Sequence, residues 1–168
     1  MAYRSSVIIL SYNSFGATTG QYLESLRPNA LQEGFEIIVI DNASDSATRQ
    51  ALERHQGESH LKIVFNRDNL GYAAENNQGA SFARGESIIL LNSDTIVASG
   101  AIKKMCDALQ FNPKWGMVGP VTNEVGNEQA IWTKGKSPPD KLREGQEWVS
   151  HASASHIPTN NSVSFAQH

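Results

Sequence analysis

The chain has a single cysteine, Cys106. No internal disulfide can form, which excludes a disulfide-stapled secreted scaffold and points to a reducing, cytoplasmic setting. Cys106 sits in a helical apolar stripe with no histidine clustered beside it, so it reads as a small core residue rather than a catalytic thiol. Long hydrophobic runs are also lacking: none approaches the roughly 18 apolar residues of a membrane span. The apolar stretch after Arg4 is too short for a signal-peptide core. Nor is there a basic excess. With 14 Lys and Arg against 17 Asp and Glu, the net charge is −3, and no nucleic-acid partner is expected. Two phosphate-binding loops are missing as well. After the first apolar run comes Ser11-Tyr12-Asn13-Ser14-Phe15-Gly16, with no G-x-G-x-x-G, and no G-x-x-x-x-G-K-[ST] occurs anywhere.

What the chain does have is rhythm. Its 168 residues are 39% apolar and 18% charged, the size and balance of one soluble α/β-type domain. Short β-branched runs at 6–11, 36–41, 61–66 and 87–92 read as strands buried on both faces, with a weaker fifth at 116–119. Helix-length segments lie between them. Residues 18–27 place Tyr22, Leu23 and Leu26 on one face and stop before Pro28. Asp45 or Ser44 can cap a helix over 46–56 that ends near Gly57. Residues 71–84 suit a helix ended by Gly85. Ser99 is a natural cap for 99–111, where Ile102, Met105, Cys106 and Leu109 form the stripe. Alternation at this spacing predicts an α/β fold with a mostly parallel sheet flanked by helices.

The character changes near residue 122. Residues 1–121 read as the α/β core, and 122–168 as a polar, partly irregular start of a further region. A short helix is expected from Pro139 to Val149, and the closing "NSVSFAQH" begins an alternating strand pattern and stops. That ending reads as a truncation at the C-terminus.

Three apolar runs end in short polar clusters: Ser11-Tyr12-Asn13, Asp41-Asn42 and Asn92-Ser93-Asp94. In a doubly wound sheet, ligands sit at the carboxyl ends of the strands, near the point where strand order reverses. One cluster alone can simply cap a helix or make a turn; three on one edge favour a site. Tyr12 can stack on a base and Asp41 can accept from a base N–H. Asp94 can hold a divalent cation beside a diphosphate, since Mg²⁺ and Mn²⁺ take oxygen ligands and often few protein carboxylates.

The pieces "VIILSYN" (7–13), "IIVIDNASDS" (37–46), "NRDNLGYAAENNQGASFARGESIILLNSDT" (66–95) and "WGMVGP" (115–120) together resemble the donor-binding half of a family 2 glycosyltransferase of GT-A (Rossmann-like) fold. The nearest likeness is to rhamnosyltransferase-like bacterial members, whose products belong to polysaccharide biosynthesis. The resemblance covers roughly residues 5–120 and implies roles. Ser11 and Tyr12 border the nucleobase with Asn13 close by. Asp41 bonds the base, and Asn42 and Ser44 shape that turn. Asn69, Gly71 and Asn77 line the base and sugar side of the donor, although Asn69 and Asn77 also read as a turn residue and a helix-face polar group. Asn92 and Ser93 lie near the ribose and donor sugar. Asp94 takes the metal-binding end of a D-x-D-like motif whose first acid is here Asn92, with Mn²⁺ or Mg²⁺ as cofactor.

The implied reaction is inverting, metal-assisted transfer of a sugar from a UDP- or dTDP-sugar to a saccharide or lipid-linked acceptor. The family's later acidic motif, which carries the catalytic base, has no counterpart here. Glu124, Glu128, Asp140, Glu144 and Glu147 do not follow its pattern, and His151, His156 and His168 read as exposed tail residues. The catalytic residue is therefore left unassigned and expected beyond residue 168. Peripheral membrane association through regions outside this chain stays open. Two alternatives remain: a non-catalytic nucleotide-sugar-binding module, and a sugar-phosphate nucleotidyltransferase. The second would want basic residues in the first turn, and "SYNSFGATTG" has none.

Overall fold

The four apolar runs become four parallel strands. A computed structural model describes residues 2–14, 19–93 and 95–120. The element order is β1 (Tyr3–Ser11), α1 (Gly20–Glu33), β2 (Phe35–Asp41), α2 (Ser46–Glu53), β3 (Leu61–Phe65), α3 (Tyr72–Phe82), β4 (Gly85–Leu91) and α4 (Ala101–Phe111). The strands form one sheet in the order β3-β2-β1-β4, every neighbouring pair parallel. The chain divides into two compact units, Met1–Val97 with the sheet and Ala98–His168 with α4. In α4, Ile102 and Cys106 are buried, as expected of a core cysteine. The helix and strand expected beyond Pro139 lie outside the described residues. Among those described, no helix is long and apolar enough to cross a membrane.

Side chains alternate between the faces of a strand, and this sorts the core. Ile8, Ile38 and Ile40 share one face, with Leu10, Val64, Ala80, Phe82 and Ala83 packed on them, so α3 and the turn after it cover that side. Val7, Ile9, Ile37 and Val39 are equally buried and point the other way. Right-handed crossovers put α1 and α2 on that second face, where α1 contributes Leu23, Leu26 and Ala30. Strand β2, in the middle, is buried along its whole length.

Strand β4 departs from expectation. It alternates instead of being buried on both faces, with Ile88 and Leu90 nearly half exposed. Among the described residues it is an outer strand, paired on one side by β1 alone.

Helix α1 does not stop before Pro28 but runs through it to Glu33. The lost backbone hydrogen bond is offset by burial of Leu26 and Ala30 on either side of the proline. The helix stops at Gly34, whose φ of 76° is left-handed and whose N–H donates to Ala30 O. Helix α2 ends at Glu53, short of the expected 56. The amides of His55 and Gln56 then bond three residues back, to Leu52 and Glu53. Helix α4 is capped by left-handed Gly100 rather than by Ser99, because the preceding turn needs a positive φ. No strand forms at 116–119. There Gly116, Gly119 and Pro120 weaken any ladder, and a turn bonds Trp115 N–H to Asn112 O.

The end of α3 also differs from expectation, and the reason is a buried acid. Glu36 on β2 accepts from the Ser6 hydroxyl at 2.7 Å, from the Arg84 backbone N–H at 2.7 Å and from the Arg84 Nε at 2.9 Å. Ser6 Oγ in turn accepts from the backbone amides of Arg84 and Gly85. These bonds draw the chain out of the helix at Ala83. Gly85 then opens β4 opposite Tyr3 instead of capping α3. The approach is close: a Cβ on Gly85 would lie 2.3 Å from the Ser5 carbonyl carbon. On α3, a Cβ on Gly79 would lie 2.6 Å from Ile8 Cγ2.

Two substitutions test this packing by urea unfolding. Gly85→Ala is expected to cost about 3 kcal/mol, because backbone must move to admit the methyl. Gly79→Ala is expected to cost about 1–2 kcal/mol net, because overpacking against Ile8 outweighs the roughly 1 kcal/mol gained in helix propensity.

Candidate functional site

Sheet order reverses at β1, with β2 on one side and β4 on the other. The crossover from β3 to β4 passes over two strands, which makes β1 the switch point, and ligands of doubly wound sheets sit at the carboxyl edge beside such a point. Ser11 stands opposite Asp41 in the ladder. Ile9 stands opposite Leu91, so continuing two residues along each strand brings Ser11 towards Ser93. The described residues of the three clusters therefore lie along one edge, at the switch point.

The turns after β1 and β2 are built as one unit. Asn42 N–H donates to Ser11 O at 2.8 Å. The Asn13 amide donates to Ser44 Oγ at 3.0 Å, and Asn13 Oδ1 accepts from the Asp45 amide at 2.7 Å. Two residues other than glycine are left-handed here, Asn13 at φ 51° and Ala43 at φ 59°. Asparagine tolerates that region; alanine is strained in it. Asp45 caps α2 by accepting from the Thr48 amide at 2.7 Å. The Thr48 amide, and then its hydroxyl, hold the Asp45 carboxyl below its usual range.

Asp41 is fully buried. Its Oδ2 accepts only a long bond, 3.4 Å, from the Ser44 amide. Its Oδ1 has no hydrogen-bond partner among the described residues. A buried carboxylate oxygen without a donor is costly and is suited to a ligand N–H. Tyr12 next to it is half exposed, as a stacking ring must be. Ser11 is buried, and its hydroxyl is 3.4 Å from Thr19 Oγ1, which also meets Ser14 Oγ at 2.8 Å.

The loop before α3 is tied to the same edge. Asn42 Oδ1 accepts from the Leu70 amide at 2.9 Å, and Asn69 Oδ1 accepts from the Gly71 amide at 3.0 Å. Gly71 has φ 79°, a conformation that favours glycine. Asn66 and Gln78 exchange amide hydrogen bonds at 2.9 and 2.8 Å, which fastens the end of β3 to α3. Asn77 is exposed, away from the inward face formed by Glu75, Asn76 and Gly79. The structure thus gathers Ser11, Tyr12, Asn13, Asp41, Asn42 and Ser44, brings Asn69 and Gly71 beside them through Asn42, and leaves Asn77 apart. Asn92 and Ser93 follow β4 at the same edge; Asp94 lies outside the described residues.

The sequence profile described as Glycosyl transferase family 2 matches residues 6–164. The chain belongs to this family. Among its relatives, the uncharacterized glycosyltransferase YfnE of Bacillus subtilis is 36% identical over 101 residues, which span 60% of this chain and 26% of YfnE. The cholesterol galactosyltransferase of Borreliella burgdorferi is 29% identical over 100 residues, spanning 58% of this chain and 26% of that protein. This family 2 chain therefore matches only about a quarter of the length of either relative. Among solved structures, S. aureus TarS 1-349 superposes with a TM-score of 0.56 at 25% identity, over 64% of this chain and 32% of TarS 1-349. TarS 1-349 in complex with UDP superposes with a TM-score of 0.57 at 23% identity, over 72% and 40%. The expected GT-A architecture is thus present in the sheet-bearing part of the chain.

One buried acid of α3 was not anticipated from sequence. Glu75, in the first turn of α3, is buried, and its Oε1 has no partner among the described residues. Burial pushes its carboxyl above the usual range and the charge of Asp41 adds to the rise, against the amides of Leu70 and Gly71, which favour the anion. The available signal was its spacing: Glu75 stands four residues before Gly79, hence on the same helix face.

The strained turn yields a prediction. Ala43→Gly relieves a left-handed alanine and is expected to raise stability by about 0.5–1 kcal/mol, read as a higher urea midpoint.

Proposed function

We propose that this chain is the donor-binding part of an inverting glycosyltransferase, which moves a sugar from a UDP- or dTDP-sugar to a saccharide or lipid-linked acceptor. The observation that carries the reading is the buried, unpartnered Oδ1 of Asp41 at the switch point. Uracil and thymine both offer one N3–H, which a strand-end carboxylate accepts well in a site shielded from water. Tyr12 stacks on the base. Asn13, Ser44 and Asn42 hold the turn so that Asp41 need not reorganise on binding. Asn69 and Gly71 form the wall on the sugar side.

The diphosphate runs towards the end of β4, where Asn92 and Ser93 contact ribose and sugar. A divalent cation fits the oxygen-only donor set there, held by Asp94 with phosphate and water. Among the described residues no group of three acidic, histidine or cysteine side chains could hold a metal. When bound, Mg²⁺ or Mn²⁺ would offset the charge of the departing nucleoside diphosphate. Proton removal from the acceptor hydroxyl is assigned to no residue of this chain. The single cysteine supports a cytoplasmic setting. Crystallisation of TarS 1-349 with UDP makes UDP the natural first probe.

Calorimetric titration with UDP and dTDP, with and without Mn²⁺, tests the proposal. Metal-dependent binding is expected, weakened about 10- to 100-fold in Asp41→Asn by loss of a charge-assisted bond. Asp94→Ala is expected to remove the metal dependence. Absence of binding to either nucleotide would overturn the reading.

A further inference from the structure

At the end of β1 a hydroxyl and a carboxylate stand side by side without bonding each other. Ser11 and Asp41 are partners in the ladder between β1 and β2. Neighbouring strands lie about 4.8 Å apart, and ladder partners point to the same face, so the two side chains leave the sheet together. Both residues are fully buried. Yet Asp41 Oδ1 has no hydrogen-bond partner among the described residues. The Ser11 hydroxyl is met instead by Thr19 Oγ1, at 3.4 Å. Thr19 is itself fully buried, and its hydroxyl also meets Ser14 Oγ at 2.8 Å. Backbone holds it there, since the Thr19 amide donates to Ser14 O at 3.1 Å. The hydroxyl does not serve the helix that follows: Thr19 is the N-cap of α1 and makes no side-chain cap bond.

The row Ser11, Thr19, Ser14 can carry its protons in either direction. A hydroxyl both donates and accepts, so the bonds survive when the protons turn round. Run towards Ser14, the row takes up the Ser11 proton and keeps it from Asp41. Run towards Ser11, it leaves that proton free for a ligand. A donor beside an acceptor complements a carbonyl beside an N–H. Uracil and thymine carry that pattern, with N3–H between two carbonyl oxygens. Cytosine has a bare N3 and an amino group in place of one carbonyl.

We propose that Thr19 is a positioning residue of the donor site, which holds the Ser11 hydroxyl off Asp41 and lets it donate to a base carbonyl while Asp41 accepts from N3–H. This rests on the donor-site reading above and deepens it, by naming what favours a dioxopyrimidine. Without the Thr19 hydroxyl, Ser11 turns to Asp41 Oδ1, and an entering base has to break that bond. Tyr12, the exposed residue that follows Ser11, brings a stacked base to the pair.

The test measures Kd by calorimetry for UDP, 2-thio-UDP and 4-thio-UDP, each with Mn²⁺. Each thio analogue keeps N3–H and replaces one flanking carbonyl oxygen by sulfur, a weaker acceptor. With the wild-type chain, one of the two analogues is expected to bind about three- to ten-fold more weakly than UDP, the range of a neutral hydrogen bond. Thr19→Val keeps the shape and removes the hydroxyl. It is expected to weaken UDP binding by about the same factor and to bring the analogue-to-UDP ratio of Kd values down to about one. Thr19→Ser restores the hydroxyl and should restore the ratio. Where Thr19→Val does not fold, Thr19→Cys, with its weak thiol donor, gives the same readout. A role for Thr19 in folding alone would change Kd equally for the three nucleotides, and a ratio left at its wild-type value overturns the proposal. So do wild-type Kd values no weaker for either analogue than for UDP, a result that needs no variant. If Asp41→Asn still weakens UDP binding in those cases, the donor site is spared. If the wild-type chain fails to bind UDP, the donor-site reading falls and this proposal falls with it.

Discussion

The buried carboxylate of Glu36 organises the sheet. It gathers the Ser6 hydroxyl from β1 and both the backbone amide and the guanidinium of Arg84 from the turn before β4. An acid removed from water in this way is tolerable only when its lone pairs are filled, and here they are filled from β1 and from the turn before β4. The result is that β4 must start beside β1 and not beside β3, its predecessor in the chain. The switch point depends on that choice. Gly85 completes it, since any side chain there would hold β4 away from Ser5.

The two ends of the same strands differ in how their polar groups are met. At the amino ends, the Glu36 carboxylate is paired with Arg84 and the backbone is closely packed, although Ser5 Oγ and the His60 ring nitrogens have no hydrogen-bond partner among the described residues. At the carboxyl ends, two acids retain unpartnered oxygens and the chain accepts left-handed residues at Asn13 and Ala43. Left-handed backbone and an unpartnered carboxylate oxygen at the ends of β1 and β2 suit a preorganised binding edge.

Much of this was legible in the residues. Apolar runs broken by Ser-Tyr-Asn and Asp-Asn mark where strands leave the core, and the parallel order follows from the alternation with helices. The structure bears out the fold class, the first four strands and the gathering of Ser11 with Asp41. Other features were not legible, for physical reasons. Pro28 argues for a stop, yet Leu26 and Ala30 bury enough to carry the helix past it. The inward face of α3 consists of Glu75, Asn76 and Gly79, so no apolar stripe reveals which side meets the sheet, and Asn77 looked as well placed as Asn76. Ile88 and Leu90 read as buried because sequence does not show that β4 has β1 as its one described neighbour.

Gly79 has a reach beyond its own contact. The missing side chain lets α3 settle onto β1, and that depth decides how thoroughly Glu75 is withdrawn from water one turn away. A bulkier residue at 79 would lift the helix, hydrate the acid and lower its proton affinity without touching it. Positions 75 and 79 are consequently epistatic: an acid at 75 has its character only over a glycine at 79, and their substitutions should not add.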